Sequence, residues 1–475
     1  MKYFLFFLLI PFSSFGQPDY FEKVFGTSGN DISRSVKQLN SGSIYVLGNS
    51  DSGTFGLNDI SLTKLDNHGN ELWTTYYGTA NTENGFYLNT TADGNLVFVA
   101  ESETAVNNLD IFIYKVDTAG AVIWNKIYAT PVNETPKYIE QTSDGGYIIA
   151  GSQNDVSGFY DMLLLKLDMN GDYQWNQTFG RTNNDIADMV HQTNTGGYIL
   201  TGDTKSYGAG GNDVMLYNLD SLGNENWSNT YGDSLQNGCQ GVLIASDGNY
   251  ISYGETEIFP FSAFDFFLEK IDINGNSLWR KKLGGTGTDA LFSVKEDVDG
   301  GFICTGYSNS YNGGAPLDLV ILKTDAAGNF MWKQTYGGPG IDIGYEIIKS
   351  VDNNGFIITG KTFTTTEDYY LLKLDNNGIL SGIDDQQSNS SSLSAAFPNP
   401  AQEQISIKYN FKTSDKLANL IITDVLGKTL KSIVLDPSLD EITINLLDLS
   451  SGIYFYSIQE TGEPRATKKF VVSKK

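Results

Sequence analysis

The chain is poor in the residues that carry most side-chain chemistry. It holds two histidines, His68 and His191, and two cysteines, Cys239 and Cys304, among 475 residues. That scarcity speaks against a His-based metal cage, a Ser-His-Asp triad and a disulfide scaffold. The two cysteines fall at non-equivalent positions, and a single disulfide and two buried thiols both fit them. Basic residues are outnumbered, 31 Lys and Arg against 56 Asp and Glu for a net charge of −25. This argues against nucleic acid and against anionic membrane surfaces, and it favours solubility outside the cell. Long apolar runs are also missing. The one near the N-terminus, residues 3–11, is too short to span a bilayer. With Lys2 before it and small residues before Gln17, it reads as a secretory signal peptide over residues 1–16. No membrane span is expected.

What the chain has is repetition. Asp59, Asp110, Asp161, Asp213, Asp265, Asp318 and Asp368 follow one another at spacings of 51, 51, 52, 52, 53 and 50 residues. Seven residues after each stands a further aspartate, and ten after each a glycine, as at Asp168 and Gly171. A unit reads D-x-x-L-x-K-L-D-x-x-G-x-x-x-W-x-x-x-Y-G, with Trp175 and Gly180 closing the third copy. Segments of about eight residues alternate in polarity, which is the period of a strand. The Asp-x-x-Gly step is a hairpin turn, in which Asp bonds its own downstream backbone and Gly supplies positive φ. Two more strands joined by a second Gly turn precede each marker. Four strands in roughly 50 residues predict a blade, and seven blades an all-β seven-bladed propeller over residues 17–382.

The tryptophan strand has six copies, Trp73, Trp124, Trp175, Trp227, Trp279 and Trp332, and the seventh unit stops at Leu380. Phe21, five residues before Gly26, occupies the tryptophan position, so residues 20–25 are expected to complete the last blade. The tryptophans are expected to pack between blades, and the turn aspartates to shape turns rather than bind calcium.

After Leu380 a polar run, residues 383–394, reads as a flexible linker. From Ala395 short alternating strands return without the fifty-residue period and suggest a small β-sandwich over residues 395–475. Phe397-Pro398-Asn399-Pro400, the hairpin at Asp424-Val425-Leu426-Gly427, Leu449-Ser450-Ser451-Gly452-Ile453-Tyr454 and the closing Lys469-Phe470-Val471-Val472-Ser473-Lys474 resemble the type A C-terminal sorting domain of the type IX secretion system of Bacteroidota. The resemblance implies export through the periplasm and recognition by the outer-membrane translocon. It also implies removal of the domain by a sortase, leaving the propeller extracellular or attached to the outer cell surface.

Function is expected on the face where loops differ in every unit, such as residues 50–58, 152–160 and 255–264. Five residues after each Tyr-Gly step stand Asp31, Glu83, Glu134, Asp185, Asn237, Asp289 and Asp342. These either accept backbone N–H bonds or ring the mouth of the channel and attract cations or cationic groups; no cofactor is expected, unless such a ring takes calcium. In one displayed loop Phe259, Phe261 and Phe264 either fold back over the blade or form a platform for a sugar or protein. No catalytic or metal-binding residue set is evident. The reading is a non-catalytic binding or adhesion module whose extracellular ligand is a glycan or a protein. The alternatives are a secreted carbohydrate-active enzyme using carboxylates on the variable face, and a structural element of a surface assembly.

Overall fold

A computed structural model describes residues 20–53, 55–105, 108–209, 211–258, 263–311, 316–363, 365–380, 392–393, 401–410, 418–424, 428–435, 441–460 and 463–474. The chain forms two compact units, Met1–Gly382 and Ile383–Lys475. In the first, seven four-stranded antiparallel sheets follow one another. The first blade is Asp31–Gln38, Ile44–Ser50, Asp59–Leu65 and Glu71–Tyr77, in that spatial order. The seventh takes Ile343–Lys349, Phe356–Phe363 and Glu367–Leu374 and adds Phe21–Phe25, paired antiparallel with Glu367–Leu374. The innermost strand of each blade touches that of the next, and the first touches the last, so the blades form a closed ring.

The two hairpin turns of a unit are built as their residues dictate. In the outer turn the aspartate Oδ1 accepts the N–H groups two and four residues on, as from Asn170 and Asp172 to Asp168 at 2.8 and 2.9 Å. Its glycine sits at φ between 72° and 84° in all seven copies. The inner turn repeats this with Gly42, Gly94, Gly145, Gly196, Gly248 and Gly300, while Asn353 takes the seventh position at φ 55°. Asn is the residue after Gly that best tolerates this region. The repeated lysine of the third strand lays its stem in the blade and reaches the inner turn: Lys115 to Asp93 at 2.6 Å, Lys166 to Asp144 at 2.9 Å and Lys323 to Asp299 at 2.6 Å.

The outer-turn glycine also meets the neighbouring blade. A methyl group placed on Gly120, Gly171, Gly223, Gly275, Gly328 or Gly378 would stand 2.8–3.1 Å from the indole of Trp73, Trp124, Trp175, Trp227, Trp279 or Trp332, each on the preceding blade. On Gly69 it would stand 2.7 Å from the ring of Phe21. Phe21 therefore does for the first and last blades what tryptophan does elsewhere, and the interblade role expected of these rings is the observed one. Tyr77, Tyr231 and Tyr336 add hydroxyl bonds to the carbonyls of Gly120, Gly275 and Gly378 at 2.7, 2.8 and 2.6 Å.

In the second unit, Ser392–Leu393, Gln404–Asn410 and Glu441–Asn445 form one sheet, and Thr429–Val434, Ala418–Thr423, Gly452–Glu460 and Glu463–Val472 another. Ile405, Ile407, Leu420, Ile422, Tyr456, Phe470 and Val472 are among the residues of their shared core. The expected signal peptide and most of the expected linker lie outside the described residues.

Because Gly171 has both a positive φ and a ring against it, Gly171→Ala should destabilise the propeller by about 2–4 kcal/mol, through strain and lost packing together. Gly196→Ala, where φ is +85° but nothing lies within 4 Å, should cost only about 1 kcal/mol. Denaturant titration of both variants measures the difference.

Candidate functional site

The acids that opened the seven inner strands in the sequence do not line the channel. Asp31, Glu83, Glu134, Asp185, Asp289 and Asp342 are at most 1% exposed, which corrects their placement at a channel mouth. Each strand enters the ring by curling over its own first side chain, so the carboxylate accepts backbone N–H groups four residues upstream. The bonds from Thr27, Arg181, Gly285 and Gly338 to Asp31, Asp185, Asp289 and Asp342 measure 2.5, 3.1, 3.0 and 2.8 Å. A hydroxyl of the second strand adds a bond, as from Ser102 to Glu83 at 2.8 Å and from Thr204 to Asp185 at 2.5 Å.

Asp31, Glu83, Asp185 and Asp289 also meet the marker aspartate of the preceding blade across the glycine between them. A methyl group on Gly180 would lie 1.9 Å from Asp161 Oδ1 and 2.9 Å from Asp185 Oδ2, and one on Gly284 would lie 2.2 and 2.8 Å from Asp265 and Asp289. Burial, followed by the charge of Asp110, pushes Glu134 up to about 7. Burial and Asp289 push Asp265 up to about 6. The fifth blade has Asn237 at this position, and its Oδ1 accepts from Thr256 at 2.9 Å and Arg280 at 2.7 Å.

The channel wall is made by a different position. In every inner strand the pairing with the second strand slips by one residue, three residues after the acid: between Ser33 and Ser35, Gly85 and Tyr87, Pro136 and Tyr138, Ala187 and Met189, Cys239 and Gly241, Leu291 and Ser293, and Gly344 and Glu346. The seven skipped residues are Arg34, Phe86, Lys137, Asp188, Gln240, Phe292 and Tyr345. A bulge leaves its extra residue outside the ladder and re-aims the side chain. All seven are half-buried, and all seven line one cavity of about 160 Å³.

Below this ring the polar groups are satisfied among themselves. Glu346 accepts from Lys37 Nζ at 2.5 Å, Ser35 Oγ and the Val36 N–H at 2.7 Å, and Tyr87 at 2.9 Å. His191 Nδ1 lies 2.6 Å from Glu140. The bulge residues differ. Arg34 lies over the ring of Tyr345 at 4.7 Å and Lys137 over that of Phe86 at 5.1 Å. Asp188 Oδ2 is shielded and has no hydrogen-bond partner among the described residues. Burial, then Asp203, drives the Asp188 carboxyl well above the ordinary range. Burial also raises Asp203, whose Oδ1 accepts the Cys239 N–H at 2.5 Å, and with Asp203 it takes Glu255 to about 8.

Of the other candidates, Phe264 is half-buried within the strand Ala263–Ile271 and does not line the cavity, while Phe259 and Phe261 lie outside the described residues. Cys239 and Cys304 are both buried and free. Among the described residues no cluster of three or more His, Cys, Asp and Glu side chains suited to a metal is found, and no helix is long and apolar enough to cross a membrane. In the C-terminal unit Tyr454 stacks on Phe470 with centroids 5.6 Å apart and bonds the Ser450 carbonyl at 2.8 Å. Gly452 opens that strand, and Val471 lies half-buried on the next, its carbonyl accepting the Ala401 N–H at 2.8 Å. Lys474 Nζ bonds the Leu447 carbonyl at 2.6 Å, and Lys469 is exposed. Pro398, Asn399, Pro400 and Gly427 lie outside the described residues.

The fold therefore defines a class: a seven-bladed propeller with an asymmetric channel cavity, carried on the same chain as a small β-sandwich. The sandwich fixes the assignment further. Residues 395–473 match the family described as the secretion system C-terminal sorting domain, and the chain is cargo of the type IX secretion system, sent to the cell surface or the extracellular space. No curated protein matches the chain. Among solved structures, puromycin hydrolase is 12% identical with a TM-score of 0.46 over 82% of this chain, which spans 60% of that one. Sqt1 from Chaetomium thermophilum is 11% identical with a TM-score of 0.44, over 83% of this chain and 96% of its own. PorZ, a surface component of the type IX secretion system of Porphyromonas gingivalis, is 10% identical with a TM-score of 0.26, over 93% and 81%. At such scores these likenesses carry no argument about activity.

The interblade carboxyl pairs give the propeller a pH dependence of defined sign. Glu134 binds its proton more tightly folded than unfolded, where a glutamate titrates near 4.3. Its contribution is complete below that value and is lost as pH rises through about 7. Glu134→Gln, which mimics the natural amide Asn237, should thus gain melting temperature relative to the parent on going from pH 5 to pH 8, by roughly 2 °C. Calorimetry of both proteins across that range checks it.

Proposed function

We propose that the propeller is a non-catalytic binding module, displayed on or released from the cell surface, that holds its ligand in the channel cavity on the seven bulge residues. One observation carries this reading. Around the ring the bulged position, which lines the cavity in all seven blades, is Arg, Phe, Lys, Asp, Gln, Phe and Tyr in turn, while the position that opens the same strands is acidic in six of the seven. Packing of a symmetric scaffold gives no reason for cationic, acidic, amide and aromatic groups to alternate at one position, whereas recognition of one asymmetric ligand does. Aromatic and polar groups converging on a concave, rigid wall are the usual make-up of a small-molecule site.

A second reading, a carbohydrate-active enzyme, is favoured by the raised carboxyls of Asp188, Asp203 and Glu255, the last reaching about 8, since general-acid catalysis uses an acid whose proton affinity has been raised by its surroundings. Both readings are tested by one screen. The propeller is applied to arrays of glycans and peptides, with and without calcium, and each hit is assayed for product. The binding reading expects a retained, unconverted ligand and a loss of affinity of about tenfold or more in Tyr345→Ala and in Lys137→Ala. Phe264→Ala should leave that affinity unchanged. Turnover abolished by Asp188→Asn would establish the enzyme instead.

For the C-terminal unit the proposed partners are the outer-membrane translocon and the sortase of the secretion system. Removing residues 395–475 should leave the propeller in the periplasm, as read by cell fractionation. Moving those residues onto a foreign periplasmic protein should export it.

A further inference from the structure

Given that the channel cavity is the ligand site, its charges specify the ligand further. Three cationic side chains line it, Arg34, Lys137 and Lys295, and none makes a hydrogen bond or an ion pair within the described residues. Two carboxylates line it with them. Glu346 is already spent on Lys37, Ser35, Val36 and Tyr87. Only Asp188 keeps a shielded oxygen without a partner. In a chain with nearly twice as many acids as bases, the cavity wall thus holds more uncommitted positive charge than negative.

Unpaired cations at a partly desolvated surface are stabilised by an anion, best by a carboxylate that takes the planar guanidinium of Arg34 from the front while its face stays on Tyr345. Asp188 has a different need. Its charged neighbours are Asp203, Lys137 and Glu255, and burial with Asp203 favours its neutral form, so an ammonium group there would need a charged partner that this carboxyl does not readily supply. A hydroxyl group would not, and it satisfies a carboxyl oxygen equally well whether that carboxyl carries a proton or not. Gln240, on the next blade, lines the same cavity, with its Nε2 donating to Glu255 at 3.4 Å. The rest of the wall is aromatic: Phe86, Tyr87, Tyr138, Phe292 and Tyr345. Such rings offer flat apolar faces to the C–H face of a pyranose. The space, about 160 Å³, holds one ring rather than a folded partner.

We infer that the channel cavity binds a single acidic sugar, a hexuronate or the terminal hexuronate of an acidic glycan, with its carboxylate on Arg34 and Lys137 and a ring hydroxyl on Asp188. This extends the proposed binding role to a class of ligand.

The test uses the full chain, calorimetric titration and three probes: D-glucuronate, D-glucose and L-lysine. Glucuronate should bind about tenfold or more tightly than glucose and weaken as salt is raised, while lysine should compete with neither. Arg34→Met and Lys137→Met should each reduce glucuronate affinity about tenfold. Asp188→Asn, which keeps the shape, should reduce binding of glucuronate and of any bound glucose together. Asp172→Asn, in an exposed outer turn, should change nothing, and the melting temperature of each variant shows that it is folded. Equal binding of glucose and glucuronate, tighter binding of lysine, unaltered affinity in the Arg34 and Lys137 variants, or no binding of glucuronate by about 10 mM would each overturn the inference. If the array screen meanwhile finds another ligand lost in Tyr345→Ala, the channel stands as the binding site and only the acidic sugar falls. If no ligand depends on the bulge residues, the channel reading itself falls.

Discussion

The stacking of one aromatic ring on the outer-turn glycine of the next blade is the contact on which the rest of the propeller depends. A four-stranded blade buries apolar side chains on both faces, so none of the seven is complete without two neighbours. The cores are accordingly shared: Tyr45 and Leu62 of the first blade cluster with Phe98 and Tyr114 of the second, and Phe21 and Val36 join Ile357 and Leu371 across the closure. The glycine is required twice over at this contact, by its positive φ and by the ring lying against it. Because Phe21 supplies the ring for the first blade, the N-terminal strand and the last three strands are stabilised together or not at all.

A ring held so uniformly on its outside can vary on its inside. The sevenfold bulge is the device that permits this. A residue paired in the ladder is constrained by cross-strand neighbours on both sides, whereas the bulged residue is released from pairing and faces the channel. Its chemistry can change with little effect on the blade. Seven copies of one backbone irregularity thereby turn a symmetric scaffold into an asymmetric cavity, with cations at Arg34 and Lys137, a carboxyl at Asp188 and aromatic faces between.

The acids that open the inner strands show the opposite arrangement. Their repetition comes from a repeated structural task, accepting the backbone N–H groups of the turn that leads into each strand. The task brings a second carboxyl, the marker aspartate of the preceding blade, close to the first, and burial makes that proximity felt as raised proton affinity in Glu134 and Asp265. The amide at Asn237 fills the same place in the fifth blade without a second carboxylic acid.

Much of this was legible in the chain itself. The spacing of Asp59 to Asp368 determined the number of blades, the glycine and aspartate of each turn determined the hairpins, and Phe21 could be placed by counting from Gly26, because turn chemistry and strand period are local properties of a sequence. The sorting domain was legible for the same reason, through short motifs in order. The binding wall was not. Strand alternation puts Arg34, Phe86, Lys137 and Asp188 at a position of mixed polarity that no motif marks. Which residues faced the channel was decided by a register slip of one residue between strands, and a slip of one residue reverses every side chain beyond it. That the acids were buried and the bulge residues exposed to the cavity was therefore fixed by pairing between strands and packing between blades, interactions that exist only once the ring has closed.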